Sequence, residues 1–326
     1  MTPRPCPKPF RIAPKLESPF KPKRLPERKA MTIALGVLTP QWMVVAADSE
    51  ESIGGDFKLS TSTIHLNWYM AVVNSEGAQH SPALRCERTA VVTGAGDSGY
   101  LAAMKEKISD LFNGKGPLEG VRSLQELDGR LRIAVEDFYT KHVLPFNGPN
   151  DDALRVRLII CASVLGQSAM WSTYHNTVRM VNLGVEAVGS GERWAVSTFP
   201  PLLRAITGSE ITASVLAVNA VRVAKLRALD CGKETQLIAV NRFSGVPKIA
   251  VTSVAHELEV ALEEYDTYAS KVLQFVSGLK VGGIDTRTDL KTFRDRIDDI
   301  ALRLYIEESV PIEFRQLASG VPPGLL

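Results

Sequence analysis

Runs of strand-forming residues alternate with pairs of helical segments along this chain, and that order admits few architectures. Val, Ile, Thr and aromatic residues dominate short stretches at 32–38, 42–48, about 63–66, 68–74 and 88–93, bounded by Gly, Pro, Asn and Ser. A first helix opens after Gly94-Ala95-Gly96-Asp97-Ser98-Gly99. Asp97 or Ser98 can cap it, and Leu101, Met104, Ile108 and Leu111 fall at helical spacing. A second spans about 123–143, with Leu127, Leu131, Ala134, Phe138 and His142 along one side. Strands return at 155–164, 168–174 and 177–182, helices at about 191–206 and 210–229, and strands at 236–241 and 247–252. Paired helices between antiparallel strands predict an α+β fold, a four-layer αββα sandwich, rather than an alternating βαβ sheet. The tail from about 254 to 310 predicts two more helices, parted near Gly282-Gly283. This C-terminal helical extension can pack on the domain or on a neighbouring subunit.

The first thirty residues are of another kind. They hold eight prolines, nine Lys/Arg and two Glu, a net charge of +7. Proline at that density removes backbone donors and blocks helix and central strand, so residues 1–30 are expected to be disordered or extended. No apolar run follows the charges, which excludes a secretory signal. A propeptide, a permanent tail and an upstream start codon remain three open readings. In the last, initiation at Met31 and removal of that methionine would expose Thr32. The expected organisation is therefore 1–30, a domain over 31–252 and an extension over 253–326.

The remaining 296 residues carry a net charge of −5, which argues against nucleic-acid binding by the folded part. No run of 18 apolar residues predicts a membrane span. Cys6, Cys86, Cys161 and Cys231 form no CxxC pair and suit a reducing compartment, so a cytoplasmic location is expected. The five histidines lack metal-ligand spacing.

One segment carries chemistry. Met31-Thr32-Ile33-Ala34-Leu35-Gly36-Val37 reads as a strand beginning at a threonine, and Met43-Val44-Val45-Ala46-Ala47-Asp48-Ser49 as a second strand ending in a carboxylate. A threonine at a free chain end holds a nucleophilic hydroxyl and, in its own α-amine, a base. That amine has an unperturbed pKa of about 7.7–8.0, so a useful fraction is free base at neutral pH. If the preceding segment stays attached, the nitrogen is an amide and no base.

These features, with Thr93-Gly94-Ala95-Gly96-Asp97 and Val188-Gly189-Ser190-Gly191 each leading into a helix, resemble the proteasome β-type subunits and their bacterial relatives among the N-terminal nucleophile hydrolases. The resemblance spans about 32–252, and the sixteen residues from Thr32 to Asp48 match the family's spacing. It implies Thr32 as nucleophile and Asp48 as the buried aspartate of the charge network. It implies Gly94 as the glycine whose backbone N–H polarises the scissile carbonyl, typically worth about 3–4 kcal/mol. It also implies Ser190 as the serine beside the terminal amine, and Asp230 as a further network aspartate. Cys231-Gly232-Lys233-Glu234 departs from the Asp-x-x-Ser-Gly pattern expected after Asp230. The implied substrate is a peptide or protein bound as an added strand, cut through an acyl-enzyme with no metal or organic cofactor. The relatives assemble into rings, so a homo-oligomer is implied.

One position departs from the family. Active members place a lysine at the start of the third strand, where this chain has Thr63; Lys58, five residues earlier, is the candidate substitute. Without a cation, a carboxylate within about 4–6 Å favours the ammonium form of the amine, raising its pKa by about 1–3. A catalytically inactive scaffold or assembly subunit is therefore the alternative to the hydrolase. A regulatory or binding protein is a third reading, resting on composition alone.

Overall fold

Thr39 closes the first hairpin. It joins β1 (Ile33–Leu38) to β2 (Trp42–Asp48): its amide donates to the Trp42 carbonyl (2.9 Å), and its hydroxyl accepts from the Trp42 N–H (2.9 Å). The computed structural model describes residues 32–48, 50–53, 57–60, 64–73, 83–112, 123–146, 156–182, 184–199, 210–228, 231–232, 234–276 and 286–305. The proline-rich head, Thr63 and Asp230 lie outside them.

Around the hairpin grows a five-stranded antiparallel sheet. β10 (Gly184–Gly189) pairs with β1, β11 (Thr235–Asn241) with β2, and β12 (Pro247–Ile249) with β11. A second antiparallel sheet runs in simple sequence order: β5 (His65–Val73), β6 (Ala83–Ala95), β7 (Arg157–Val164), β8 (Gln167–Tyr174) and β9 (Thr177–Val181). Between them in the chain, β3 (Glu50–Ile53) and β4 (Phe57–Ser60) form a separate two-stranded ribbon. Six α-helices complete the described mixed α/β fold: α1 (Ser98–Phe112), α2 (Leu124–Phe138), α3 (Glu192–Ser197), α4 (Glu210–Arg227), α5 (Thr252–Val276) and α6 (Thr286–Arg303).

Period-two alternation sorts the side chains into three clusters. Ile33, Leu35, Val37, Val44, Ala46, Leu237 and Ala239 of the first sheet pack with α4, α5 and α6. On the other faces of the same strands, Ala34, Met43, Val45 and Ala47 meet Val91, Ile159, Cys161 and Met170 of the second sheet. That sheet's remaining faces, through Leu158, Ile160 and Trp171, pack with α1 and α2. Central strands are thus buried on both sides, which explains their nearly unbroken apolar runs. Each fully buried Leu or Ile contributes about 1.5–3 kcal/mol. At Gly36 the sheets approach closely: a Cβ there would lie 2.5 Å from Met170 Sδ and 2.9 Å from Ile159 Cγ2.

Local signals place the helix starts. Asp97 caps α1, its Oδ1 accepting from the Tyr100 N–H (3.2 Å), and Ser123 Oγ does the same for Glu126 at α2 (3.2 Å). The second predicted helix is α-helical only to Phe138 and continues as a π-helical turn, Tyr139–Val143. Within the third predicted helix, α3 ends at Ser197 and residues 200–206 lie outside the described ones. The extension packs on its own chain. Ile300 and Leu304 are buried with α4, the Val251 N–H donates to the Leu304 carbonyl (3.1 Å), and Tyr305 Oη meets Ser214 Oγ of α4 (2.8 Å). No helix of the described residues is long and apolar enough to cross a membrane.

Cys161 reports on the packing between the sheets. Complete burial pushes its thiol up to about 12. It should remain an unreactive thiol from pH 7 to 9, because the thiolate is the nucleophile. Mass-mapped iodoacetamide labelling should leave Cys161 unmodified in the native protein and alkylate it fully in urea.

Candidate functional site

Asp48 ends β2 with no exposed surface, and its carboxylate is held by backbone amides from two distant segments. Oδ1 accepts from the Ile33 N–H (3.2 Å) and Oδ2 from the Gly232 N–H (2.8 Å). A buried carboxylate without donors would be strongly unfavourable, and these two amides each supply it with one. Ile33 directly follows Thr32, itself only 5% exposed. The carboxylate therefore grips the chain one peptide unit from the predicted nucleophile.

The turn after β10 reaches the same place. Gly189 pairs with Ile33 and has φ +109°; a Cβ there would lie 1.8 Å from the Thr32 carbonyl oxygen and 3.1 Å from Ala95 Cβ. Only a residue without a Cβ lets Thr32 and the end of β6 close on this turn. Ser190 Oγ hydrogen-bonds Cys231 Sγ (3.8 Å), whose neighbour Gly232 binds Asp48. Gly191 is also tightly packed: a Cβ there would lie 2.8 Å from Ala224 Cβ and 3.3 Å from both Cys231 Sγ and Ile33 Cβ. Gly94 stands opposite Leu158, with Ala95 beside it and Leu101 of α1 above; a Cβ there would lie 2.4 Å from the Arg157 carbonyl oxygen. That packing by itself demands glycine at 94.

Four predicted residues, Thr32, Asp48, Gly94 and Ser190, thus converge on one end of the two sheets. Lys58 falls on the β3–β4 ribbon, opposite Ser52, and its side chain lies outside the described ones, as Asp230 does altogether. Ile64, leading into β5, is apolar and buried between the sheets.

Other residues of the site escape sequence reading. Arg157, opposite Ala95, forms an ion pair with Glu192 at the start of α3, bridging the second sheet to the turn that holds Ser190. Lys225, Thr235 and Glu259 form a buried polar group beside Asp48. Gly189 had a signal, its place in Val188-Gly189-Ser190-Gly191; the amide of Gly232 had none, because any residue supplies one. Among the described residues no group of three or more His, Cys, Asp or Glu is placed to hold a metal ion.

No protein-family model matches the chain, and no curated protein does. Its fold has solved counterparts. Anbu, an ancestral beta-subunit, from Yersinia bercovieri aligns with a TM-score of 0.55 and 13% identity over 78% of this chain and 100% of that one. The helical assembly of the Anbu complex from Pseudomonas aeruginosa aligns at 0.59 and 14%, with the same coverage. Anbu from Hyphomicrobium sp. strain MC1 aligns at 0.52 and 16%, again with the same coverage. At such identities the likeness is one of fold, and it agrees with the β-subunit-like architecture that the motifs imply.

Gly189→Ala should destabilise the protein by about 1–3 kcal/mol or more, from the left-handed φ together with the collision at Thr32. Gly129→Ala, on α2 with nothing within 4 Å of the new methyl, should stabilise by about 0.5–1 kcal/mol. Urea denaturation of the two variants checks both signs.

Proposed function

We propose that this chain is a threonine-type N-terminal nucleophile hydrolase, a peptidase that cleaves amide bonds through an acyl-enzyme on Thr32. The observation that carries it is the buried Asp48 carboxylate bound to the amide next to Thr32, where the Gly189 turn and the end of β6 also meet. Residues 31–252 form the hydrolase domain, a four-layer αββα sandwich, and 253–326 its helical extension.

In this reading the Thr32 hydroxyl attacks the scissile carbonyl while its own free α-amine takes the proton. The negative charge on the tetrahedral oxygen meets the Gly94 N–H. The amine then passes the proton to the departing amine of the substrate, leaving an ester on Thr32. Water, activated by the same amine, hydrolyses that ester and restores the hydroxyl. Asp48 fixes the chain end, and Ser190 lies beside it. Asp230 enters the charge network on the strength of the sequence resemblance, and Lys58 enters it as the candidate substitute for the lysine that the family has where this chain has Thr63.

The substrate is a peptide or protein, added as a strand. Copies of this chain assemble, a reading that the helical assembly of the Anbu complex supports. The proposed location is the cytoplasm.

The second reading, a silent scaffold, rests on the sequence: Thr63 stands where active relatives carry a lysine. Intact mass of the native protein separates the two. A hydrolase has a mass beginning at Thr32, and an epoxyketone then forms an adduct with its hydroxyl and amine. Thr32→Ala should lose that adduct and lower turnover by about a thousandfold or more. A mass retaining residues 1–31, or a chain beginning at Thr32 that forms no adduct, would leave the scaffold.

A further inference from the structure

Glu259 belongs to the C-terminal extension, yet its carboxylate is buried against the sheet that carries Asp48. It is 8% exposed and lies in the third turn of α5. Its Oε1 accepts from Lys225 Nζ (2.8 Å) and from Thr235 Oγ1, and Lys225 Nζ also donates to Thr235 Oγ1 (2.8 Å). Lys225 is in the last turn of α4, and Thr235 is the first residue of β11. The two residues flank the connection that bears Gly232, the donor to Asp48 Oδ2.

Register ties this group to the site. Thr235, fully buried, stands directly opposite Asp48. Opposed residues of an antiparallel pair share one face of the sheet, with Cβ atoms about 4.5–5.5 Å apart. The Lys225–Glu259 pair is nearly dry, with side chains 12% and 10% exposed. A pair at that depth adds little stability over apolar residues of the same volume, because desolvation offsets the attraction. Its geometry is the more specific property. Three separate elements, α4, β11 and α5, satisfy one another's polar groups at this point.

We propose that Glu259 is a positioning residue for the candidate site. Through Lys225 and Thr235 it pins both ends of the 225–235 segment, and so holds the Gly232 amide on Asp48. The C-terminal extension is then a working part of the site. The catalytic meaning of this brace rests on the hydrolase reading; its structural meaning does not.

Site-resolved amide hydrogen exchange on the full-length protein tests it. Glu259→Ala removes the carboxylate that binds Lys225 Nζ and Thr235 Oγ1, and exchange at Gly232 and Ile33 should quicken by about tenfold or more, with Ile160 in the second sheet unchanged. The double variant Lys225→Met/Glu259→Leu removes both charges and fills the space. It should recover the thermal midpoint while Gly232 still exchanges fast. If Glu259→Ala fails to fold, the double variant and Glu259→Gln carry the same comparison. Unchanged protection of Gly232 in the variants overturns the proposal, and so does a double variant that restores both midpoint and protection. Epoxyketone capture on the wild type keeps the readings apart. An uncaptured wild type whose variants lose Gly232 protection refutes the hydrolase and keeps the brace. A captured wild type whose variants keep that protection refutes the brace alone.

Discussion

A carboxylate with no contact to water dictates the layout of this molecule. Asp48 needs hydrogen-bond donors, and the fold brings them from either side of its strand: the amide of Ile33 at the start of β1 and the amide of Gly232 ahead of β11. Losing either donor would remove a hydrogen bond from a buried carboxylate, a cost of about 1–3 kcal/mol. The first strand, the second strand and the entry to β11 are therefore bound to one point. Thr32 lies at that point because it is the residue before the bound amide, and the catalytic proposal starts from this coincidence.

Close approach does the rest. Gly36 lets Met170 and Ile159 of one sheet touch the backbone of the other, and Gly189 lets the Thr32 carbonyl rest where a methyl would otherwise sit. Gly191 admits Cys231 and Ile33. Interiors are packed so densely that a single added carbon at such positions has nowhere to go. Around this dry centre stand ion pairs between elements: Arg157 with Glu192 at the rim, and Lys225 with Glu259 under the sheet. They link the turn after β10, the extension and both sheets into one unit.

Much of this was legible in the residues, and the part that was not has physical reasons. The central strands β1, β2, β7 and β8 are buried on both faces, so their apolar runs stand out. Helices α1 and α2 announce themselves by caps and by apolar stripes. β10 does not. Gly184 and Gly189 bound it, Glu186 interrupts it, and Val188-Gly189-Ser190-Gly191 reads as a turn, although the strand completes the sheet beside Thr32. The β3–β4 ribbon hides behind Glu50 and Glu51, which are poor strand formers. Glu259 lies next to the buried Leu258 on α5, and a glutamate carries no sequence signal of its own burial. Partners such as the Gly232 amide carry no residue signature at all, so only coordinates reveal them.

Strand order also governs how the molecule comes into being. Ile33 pairs with Gly189, and Asp48 with Thr235. On the ribosome, the β1–β2 hairpin emerges early and then waits, both edges open, until well over a hundred further residues have been made. The second sheet, whose strands pair with their sequence neighbours, has no such delay. Long-range pairing of this kind is slow and exposes apolar edges meanwhile. The residue proposed to do the chemistry is thus among the first of the described chain to be synthesised and among the last to have its strand partners, so under the hydrolase proposal a half-made or misassembled copy would have no organised centre with which to cut its neighbours.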